Sequence, residues 1–393
     1  MRARTASASV SMPKTGNMIT VREVKTRKDR KVFLDFPLDL YAGNPCFVPP
    51  LRMDERKIFH KDYVYNDCCD SVCYLAEKDG KVAGRIQGII QKASNEKNGE
   101  RRARFIRYDV IDDPAVSKAL FDAVEAWALE KGMDTLCGPL NFSDLEREGL
   151  LVEGFDQPAT FEENYNADYY PRHIESLGFV KEADWTGSLL YGAESPETQE
   201  EMAQLTQFIF RRYKLHFGPS KNGPDFLKRY ADGIFELIDK SYEGLYGTVP
   251  FTEGMRKLMI DNFAIAIDPK YTAVILDEND KVVCFGIAIP ALAPALAGGR
   301  GRLTPKTAWK LLRCLRKPKA LDLCLIGVEP EYLNRGISAA FSSALMDMFR
   351  DHPDIRVADT NLNLEDNWAI QNQWKRFRRD VVKRYRAYVK KLV

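Results

Sequence analysis

The sequence predicts a mixed α/β fold, α+β in character, in which one order of elements occurs twice. Three observations carry this. Paired β-rich runs meet at an Asp-Gly turn in the first half and at Asp277-Glu278-Asn279-Asp280 in the second. A further strand follows each pair. Beyond that strand, each half carries helices whose apolar residues recur at helical spacing. The order fits two tandem lobes, and a single large α+β domain satisfies it as well.

Residues 19–24 read as a strand ahead of a polar helix start. Residues 71–90 read as a hairpin, because two β-rich runs flank Lys78-Asp79-Gly80-Lys81 and Asp-Gly is a strong hairpin turn. Residues 104–110 give a third strand. Asp112-Asp113-Pro114 then opens a helix, since Asp is a good N-cap and Pro fits the first turn. Leu120, Val124, Trp127 and Ala128 continue its apolar stripe, Lys131-Gly132 ends it, and a strand follows at 135–137. The second half predicts strands at 271–276 and 282–290, a basic helix at 304–316 and a strand at 321–328. A helix at 337–349, a strand at 355–360, a helix at 366–377 and a strand at 382–390 complete it. The expected lobes are residues 18–191 and 197–393, joined by a linker at 192–196. Residues 1–17 are expected as a disordered tail, with Met18 as an alternative start.

The chain has 393 residues, 45% apolar and 29% charged, which is a globular composition. Fifty-eight Lys and Arg against 56 Asp and Glu leave a net charge of +2, so no nucleic-acid partner is expected and any electrostatic function is local. The best apolar stretch, residues 285–296, is interrupted by Pro290 and Pro294 and falls short of the roughly 18 residues of a membrane span. The N-terminus has no apolar h-region. Eight cysteines in largely apolar surroundings suit reduced thiols in a cytoplasm. Cys68, Cys69 and Cys73 lack CxxC spacing, so strand packing is expected before zinc, and the four histidines form no ligand motif. No metal is expected.

Chemistry concentrates in residues 321–350. An apolar strand carrying Ile326 and Val328 runs into Glu329-Pro330-Glu331-Tyr332. Leu333-Asn334-Arg335-Gly336-Ile337-Ser338-Ala339 then leads into a helix. Successive backbone N–H groups at a helix start make a phosphate cradle, and Gly336 permits close backbone approach. The segment resembles the acyl-CoA loop of the GNAT acyltransferases, V-x-P-x-x-[QR]-x-x-G-x-[GA]. The resemblance implies that Ile326, Val328, Leu333, Asn334, Arg335, Gly336, Ile337, Ser338 and Ala339 bind acyl-CoA. It also implies that the strand splays from its neighbour and offers free backbone groups to the pantetheine amides. Leu333 stands where the family prefers Gln or Arg, and Ser338 where it prefers Gly or Ala. An ordinary strand–turn–helix with an incidental glycine is the other reading of this loop.

Downstream, Asn367 to Phe377 sits where the family's N-x-x-A-x-x-x-Y-x-x-x-G-F helix is expected, and Asn367 is assigned to the cofactor on that ground. Trp374 takes the tyrosine position, and the closing Gly-Phe is absent. In the family that tyrosine often protonates the leaving thiolate. An indole cannot do so, and packing is the expected role of Trp374. The first half lacks the glycine loop. Asp112 and Asp113 at its helix start would repel a pyrophosphate. His173 takes the tyrosine position counted from Asn166, with a structural role expected.

The long loop from Cys137 to Pro158 is dense in carboxylates, Gly and Pro, and its Phe142, Leu150, Leu151 and Phe155 argue for order. Asn141, Ser143, Glu146, Glu153 and Asp156 are its candidate catalytic residues, because carboxylates here can accept a proton from an amine or bind its ammonium form. A solvated surface loop is the other reading.

These runs, with GLYGTVPFTE at 244–253, GRLTPKTAWKLL at 301–312 and NPCFVPP at 44–50, are similar to a large, two-lobed group of bacterial GNAT-like proteins related to bacterial ceramide synthases. The resemblance covers nearly the whole chain from Met18. It implies an N-acyltransferase that moves an acyl group from acyl-CoA to an amine, with a long-chain, sphingoid-type amine as the favoured acceptor. A small polar amine acetylated from acetyl-CoA and an inactive acyl-CoA-binding sensor are the alternatives. The small-residue run 286–299 either lines a tunnel or fills a core. The basic helix with Trp309, within residues 304–319, either contacts a membrane peripherally, at the inner face, or is a solvated surface helix.

Overall fold

The computed structural model describes residues 18–392. The tail expected over residues 1–17 lies outside the described residues. The first half runs β1 (Ile19–Glu23), α1 (Arg27–Leu40), α2 (Arg52–Glu55), β2 (Cys69–Lys78), β3 (Lys81–Gln91), α3 (Lys92–Asn98) and β4 (Arg102–Val110). It continues through α4 (Pro114–Glu130), β5 (Thr135–Gly138), β6 (Leu150–Glu153), α5 (Tyr170–Ser176) and β7 (Val180–Ala193). The β2–β3 turn forms as the sequence predicts. Asp79 and Gly80 take φ of 52° and 76°, the left-handed pair that a tight hairpin demands. Asp113 caps α4 by accepting from Ala115 N, and Pro114 occupies its first turn.

The second half runs α6 (Pro196–Tyr213), β8 (His216–Phe217), α7 (Gly223–Ser241), α8 (Glu253–Phe263), β9 (Thr272–Leu276), β10 (Val282–Pro290), α9 (Ala293–Leu296) and α10 (Pro305–Arg316). It ends with β11 (Ala320–Val328), α11 (Ser338–Asp351), β12 (Val357–Asp359), β13 (Asn363–Leu364), α12 (Trp368–Trp374) and β14 (Phe377–Lys391). The helix predicted over 366–377 is shorter than expected, because the chain leaves it at Lys375 to begin β14. The last strand is correspondingly longer. The predicted strand 355–360 shrinks to three residues.

The fourteen strands of the described residues join one sheet in the order β1-β2-β3-β4-β5-β14-β7-β12-β11-β10-β9-β8, with β6 on β14 and β13 on β7. The centre of this order is an exchange. β14 ends the chain yet pairs with β5 of the first half, from Tyr388 on Gly138 to Lys391 on Thr135. β7 ends the first half yet pairs with β12 of the second, through Leu190 on Ala358 and Leu189 on Asp359. The two long strands pair antiparallel with each other from Phe377 on Ala193 to Val389 on Val180. Each half therefore completes its sheet with the other's last strand.

The halves share one local device. β4 and β5 pair in parallel only from Arg102 on Thr135 to Arg104 on Cys137, then diverge. β11 and β12 pair in parallel only from Ala320 on Val357 to Asp322 on Asp359, then diverge. Beyond each short pairing the diverging strand carries a bulge. The result is a V-shaped gap in the sheet of each half.

Candidate functional site

In the second half the bulge falls at Cys324, because Ile287 opposes Leu325 while Ala288 opposes Leu323. Past the β12 pairing, which ends at Asp322, no strand of the described residues flanks β11 on its diverging side, and side chains take up some of its carbonyls. Asn361 Nδ2 donates to Leu323 O at 3.1 Å, and Tyr242 Oη donates to Ile326 O at 2.9 Å. The gap holds a cleft of about 180 Å³ whose walls include Tyr242, Ile326, Phe341, Asn367, Ile370 and Trp374. Trp374 is buried, and its Nε1 donates to Asn363 Oδ1 at 2.7 Å. The only polar hydrogen of the indole is thereby engaged, in line with a packing role. Asn367 caps α12 by accepting from Ile370 N.

The loop after β11 is one 3-10 stretch, Pro330–Arg335, closed by Gly336 at φ 78°. A Cβ on Gly336 would also sit 3.1 Å from Ile209 Cδ1, so both conformation and space favour glycine. Arg335 lies over the rings of Tyr213 and Tyr332 at 5.4 and 5.1 Å. Leu333 is exposed, Val328 and Ile337 are buried in the core beneath, and Asn334 belongs to the 3-10 stretch. Ser338 and Ala339 open α11, a fourteen-residue helix with no side-chain cap, so its first N–H groups are free of one.

A second space adjoins the cleft. A chamber of about 150 Å³ is walled by Phe226, Ile234, Phe235 and Ile238 of α7 and by Met259 and Phe263 of α8. Ile287, Cys324 and Leu325 form its floor. One end is acidic, with Asp144, Glu146, Glu148 and Glu162. Asp144, Leu145, Glu148, Cys324, Leu325 and Leu362 line both cleft and chamber, so the two adjoin across a shared wall. The small-residue run thus contributes through Ile287, while its Ala295 and Leu296 fill core.

The acidic end is tuned by burial. Burial pushes the Glu146 carboxyl up to about 7 against the pull of Arg107. Its Oε1 sits 3.5 Å from the Tyr63 hydroxyl, and its Oε2 has no hydrogen-bond partner. Burial likewise raises Glu162 to about 7 against Arg147. It raises Asp144, and it raises Glu148 well above the usual range with the help of Asp144. Glu55 goes the other way. Burial disfavours its charge, but the Arg107 guanidinium, at 2.9 and 3.0 Å, overrides this and holds the carboxyl at about 2.

The structure divides the predicted catalytic residues. Glu146 lines the chamber. Asn141 and Ser143 are buried beside it. Asn141 Oδ1 accepts from Arg107 Nη1 at 3.2 Å, and Ser143 Oγ lies 3.2 Å from Tyr65 Oη. Glu153 is exposed on β6 against Arg384, and Asp156 is exposed, and neither lines cleft or chamber. Among the predicted cofactor residues, Ile326 and Asn367 line the cleft, and the 333–339 stretch lies beyond the end of β11. Sequence reasoning missed Tyr242, Glu148, Asp144 and Glu162, and it missed α7 and α8 altogether. A signal for α7 existed, since Phe226, Tyr230, Ile234 and Ile238 recur every fourth residue after an Asn222 cap. Tyr242 had none, because only the fold brings it to β11.

In the first half the equivalent gap is occupied. Tyr170 Oη accepts from Val110 N at 2.8 Å, Tyr169 Oη donates to Val110 O at 2.6 Å, and Leu140 N donates to Phe105 O at 2.9 Å. His173 Nε2 meets Asp112 at 3.1 Å, in keeping with its expected structural role.

No family model matches the chain. It is 29% identical to Protein YghO of Escherichia coli (strain K12), covering 96% of this chain and 97% of that protein. It is 28% identical to a bacterial ceramide synthase of Caulobacter vibrioides (strain NA1000 / CB15N), covering 80% of this chain and 81% of that protein. Its fold matches a tandem GNAT protein from the clavulanic acid biosynthesis pathway, at 12% identity with a TM-score of 0.53. That match covers 96% of this chain and 99% of the other. These likenesses bear out the mixed α/β, tandem GNAT reading of the sequence and its resemblance to bacterial ceramide synthase.

Proposed function

We propose that this tandem GNAT-fold chain is an acyl-CoA-dependent N-acyltransferase whose acceptor is a long-chain, sphingoid-type amine at the cytoplasmic face of a membrane. The supporting observation is that the splayed β11–β12 cleft shares a wall, Asp144 and Glu148 included, with an apolar chamber whose acidic end also carries Glu146. In this reading residues 197–393 hold the donor. Residues 333–339 take its pyrophosphate, and Ile326 and Asn367 border its pantetheine arm. Residues 18–191 form the lobe without cofactor and supply the acidic loop.

The amine nitrogen attacks the thioester carbonyl. An N–C bond forms, the C–S bond breaks, and the nitrogen loses one proton. Glu146 accepts it. Its free Oε2 and a carboxyl poised near 7 suit a base at neutral pH. The thiolate takes a proton from Tyr242, whose hydroxyl lies on the donor strand in the cleft. Solvent then returns the proton from Glu146 to Tyr242. This assignment fills the role that Trp374 cannot play.

A large polar cavity of about 730 Å³ meets the cleft at Asn367 and carries Arg102, Arg104, Glu182 and Asp184. It favours a second reading, acetyl transfer to a small polar amine. The engaged indole of Trp374 favours a third, an inactive acyl-CoA sensor. Thermal stability with CoA, acetyl-CoA and a long-chain acyl-CoA separates them. Ligand at about 100 times its dissociation constant adds about 2.7 kcal/mol. Stabilisation by the long chain alone, with turnover of a sphingoid amine, supports the proposal. Turnover of small amines with acetyl-CoA supports the second reading, and binding without any turnover supports the third.

A further inference from the structure

Charge in this chain is nearly balanced overall, but not along α10. Residues 300–319 contain eight Lys or Arg and no Asp or Glu. Of these eight, only Arg300 and Lys319 meet a carboxylate among the described residues, Asp39 and Asp354 respectively. Arg302, Lys306, Lys310, Arg313, Arg316 and Lys317 remain as a cluster of free cations. Elsewhere the basic side chains are extensively paired, as Lys383 is with Glu163 and Asp359.

Large apolar side chains stand among these cations. Trp309 is 60% exposed, Leu303 50% and Leu312 48%. Trp309, Leu312, Arg313 and Arg316 fall at i, i+3, i+4 and i+7 and so share one outward stripe of the helix. Arg313 lies over the Trp309 ring at 5.7 Å. The opposite stripe is held in the fold. Leu311 joins the cluster of Val48, Ala159 and Leu296. Leu315 joins the cluster that contains the chamber residues Phe226, Ile234 and Phe263. Thr304 caps the helix and Pro305 opens it, so α10 is a formed surface and needs no partner to order it.

We propose that the outward stripe of α10 docks this protein on an anionic lipid bilayer. A ring of cations around an indole and leucines matches the headgroup boundary, where phosphates meet the first methylenes. A solvated basic helix accounts for the cations but not for three large apolar side chains among them. A nucleic-acid groove accounts for the cations, but it stacks bases on arrayed aromatics, and here Trp309 stands alone. No helix among the described residues is long and apolar enough to cross a membrane. Leu315 places the chamber wall on the inner side of the docked helix. A long-chain amine then passes from bilayer to chamber across about one helix diameter, roughly 10 Å. That route rests on the transferase reading. The docking itself rests only on charge and exposure.

The test uses the full-length protein and sedimentation with vesicles of phosphatidylcholine, with or without about 30% phosphatidylglycerol, at about 0.1 M salt. The expected result is binding to the anionic vesicles only, weakening as salt rises. Lys306→Glu with Arg313→Glu removes two cations, and each is worth about fivefold in partitioning, so a loss of at least about 25-fold follows. Trp309→Phe should abolish a vesicle-induced blue shift in tryptophan emission that the wild type shows. Circular dichroism shows whether the exposed substitutions leave the fold intact. Equal binding to both vesicle types, no binding to either, or unchanged binding by a folded double variant overturns the proposal. Salt-sensitive binding to single-stranded RNA without vesicle binding overturns it too and assigns the stripe to nucleic acid. Turnover of a micellar amine by a variant that no longer binds vesicles leaves the transferase reading standing, so the two ideas fail separately.

Discussion

Glu146→Gln separates the chemistry of the acidic end from its cost in stability. The side chain keeps its shape and loses its charge. Burial raises the Glu146 carboxyl from an ordinary 4.5 to about 7. Between those values the native chain holds a proton that the unfolded chain has released, so stability falls as pH rises through this window. The difference of about 2.5 pH units corresponds to about 3 kcal/mol lost by pH 8 relative to pH 4. Glutamine has no such dependence. The variant is therefore expected to melt higher than wild type at pH 8, by roughly 4 °C for a chain of this length, and with a smaller gain at pH 5. Activity should move the other way. As the base, Glu146 must be ionised, so wild-type kcat/KM rises with pH to a plateau above about 7. The variant should lose about 10²- to 10⁴-fold and the limb itself. Scanning calorimetry from pH 5 to 8 and a pH–rate profile read the two halves. A variant with a wild-type melting profile refutes the desolvation of Glu146. A variant with wild-type kcat/KM and the same limb refutes its role as base.

Further outcomes follow from other parts of the molecule. Tyr242→Phe should lower kcat about 100-fold with little change in KM for the donor, and the defect should shrink with thioesters of more acidic thiols. An undiminished defect across leaving groups points to a structural role. Ala231→Trp fills the chamber from α7 and should abolish transfer to long-chain amines while leaving CoA-induced stabilisation unchanged. Lys383→Met leaves the buried Glu163 and Asp359 without their cation. It should cost about 3–5 kcal/mol in denaturant unfolding. Deletion of residues 377–393 should give insoluble protein, because β14 fills the centre of the sheet between β5 and β7. A soluble, folded product would refute the strand exchange.

The Asp79-Gly80 hairpin, the Asp113-Pro114 helix start and the Gly336 loop were legible because each rests on backbone preferences of adjacent residues. The glycine loop after β11 and the acidic segment after Cys137 were visible as local patterns. Their relation was not. Glu146 and Glu153 lie seven residues apart in one polar loop, yet the first lines a chamber and the second meets solvent on β6. That outcome depends on α7 and α8, which begin only at Gly223 and Glu253, covering one end of the loop. Composition and local spacing determined the class of fold, most of its strands and the loop after β11. The exchange of β7 and β14 was decided by pairing residues as distant as Val389 and Val180, and the shared wall of cleft and chamber and the meeting of Tyr242 with Ile326 likewise rest on contacts between distant segments. Turns and caps are energies of neighbouring residues and can be read in order. A cavity exists only where distant surfaces fail to close, and a carboxyl near 7 exists only where they exclude water from it.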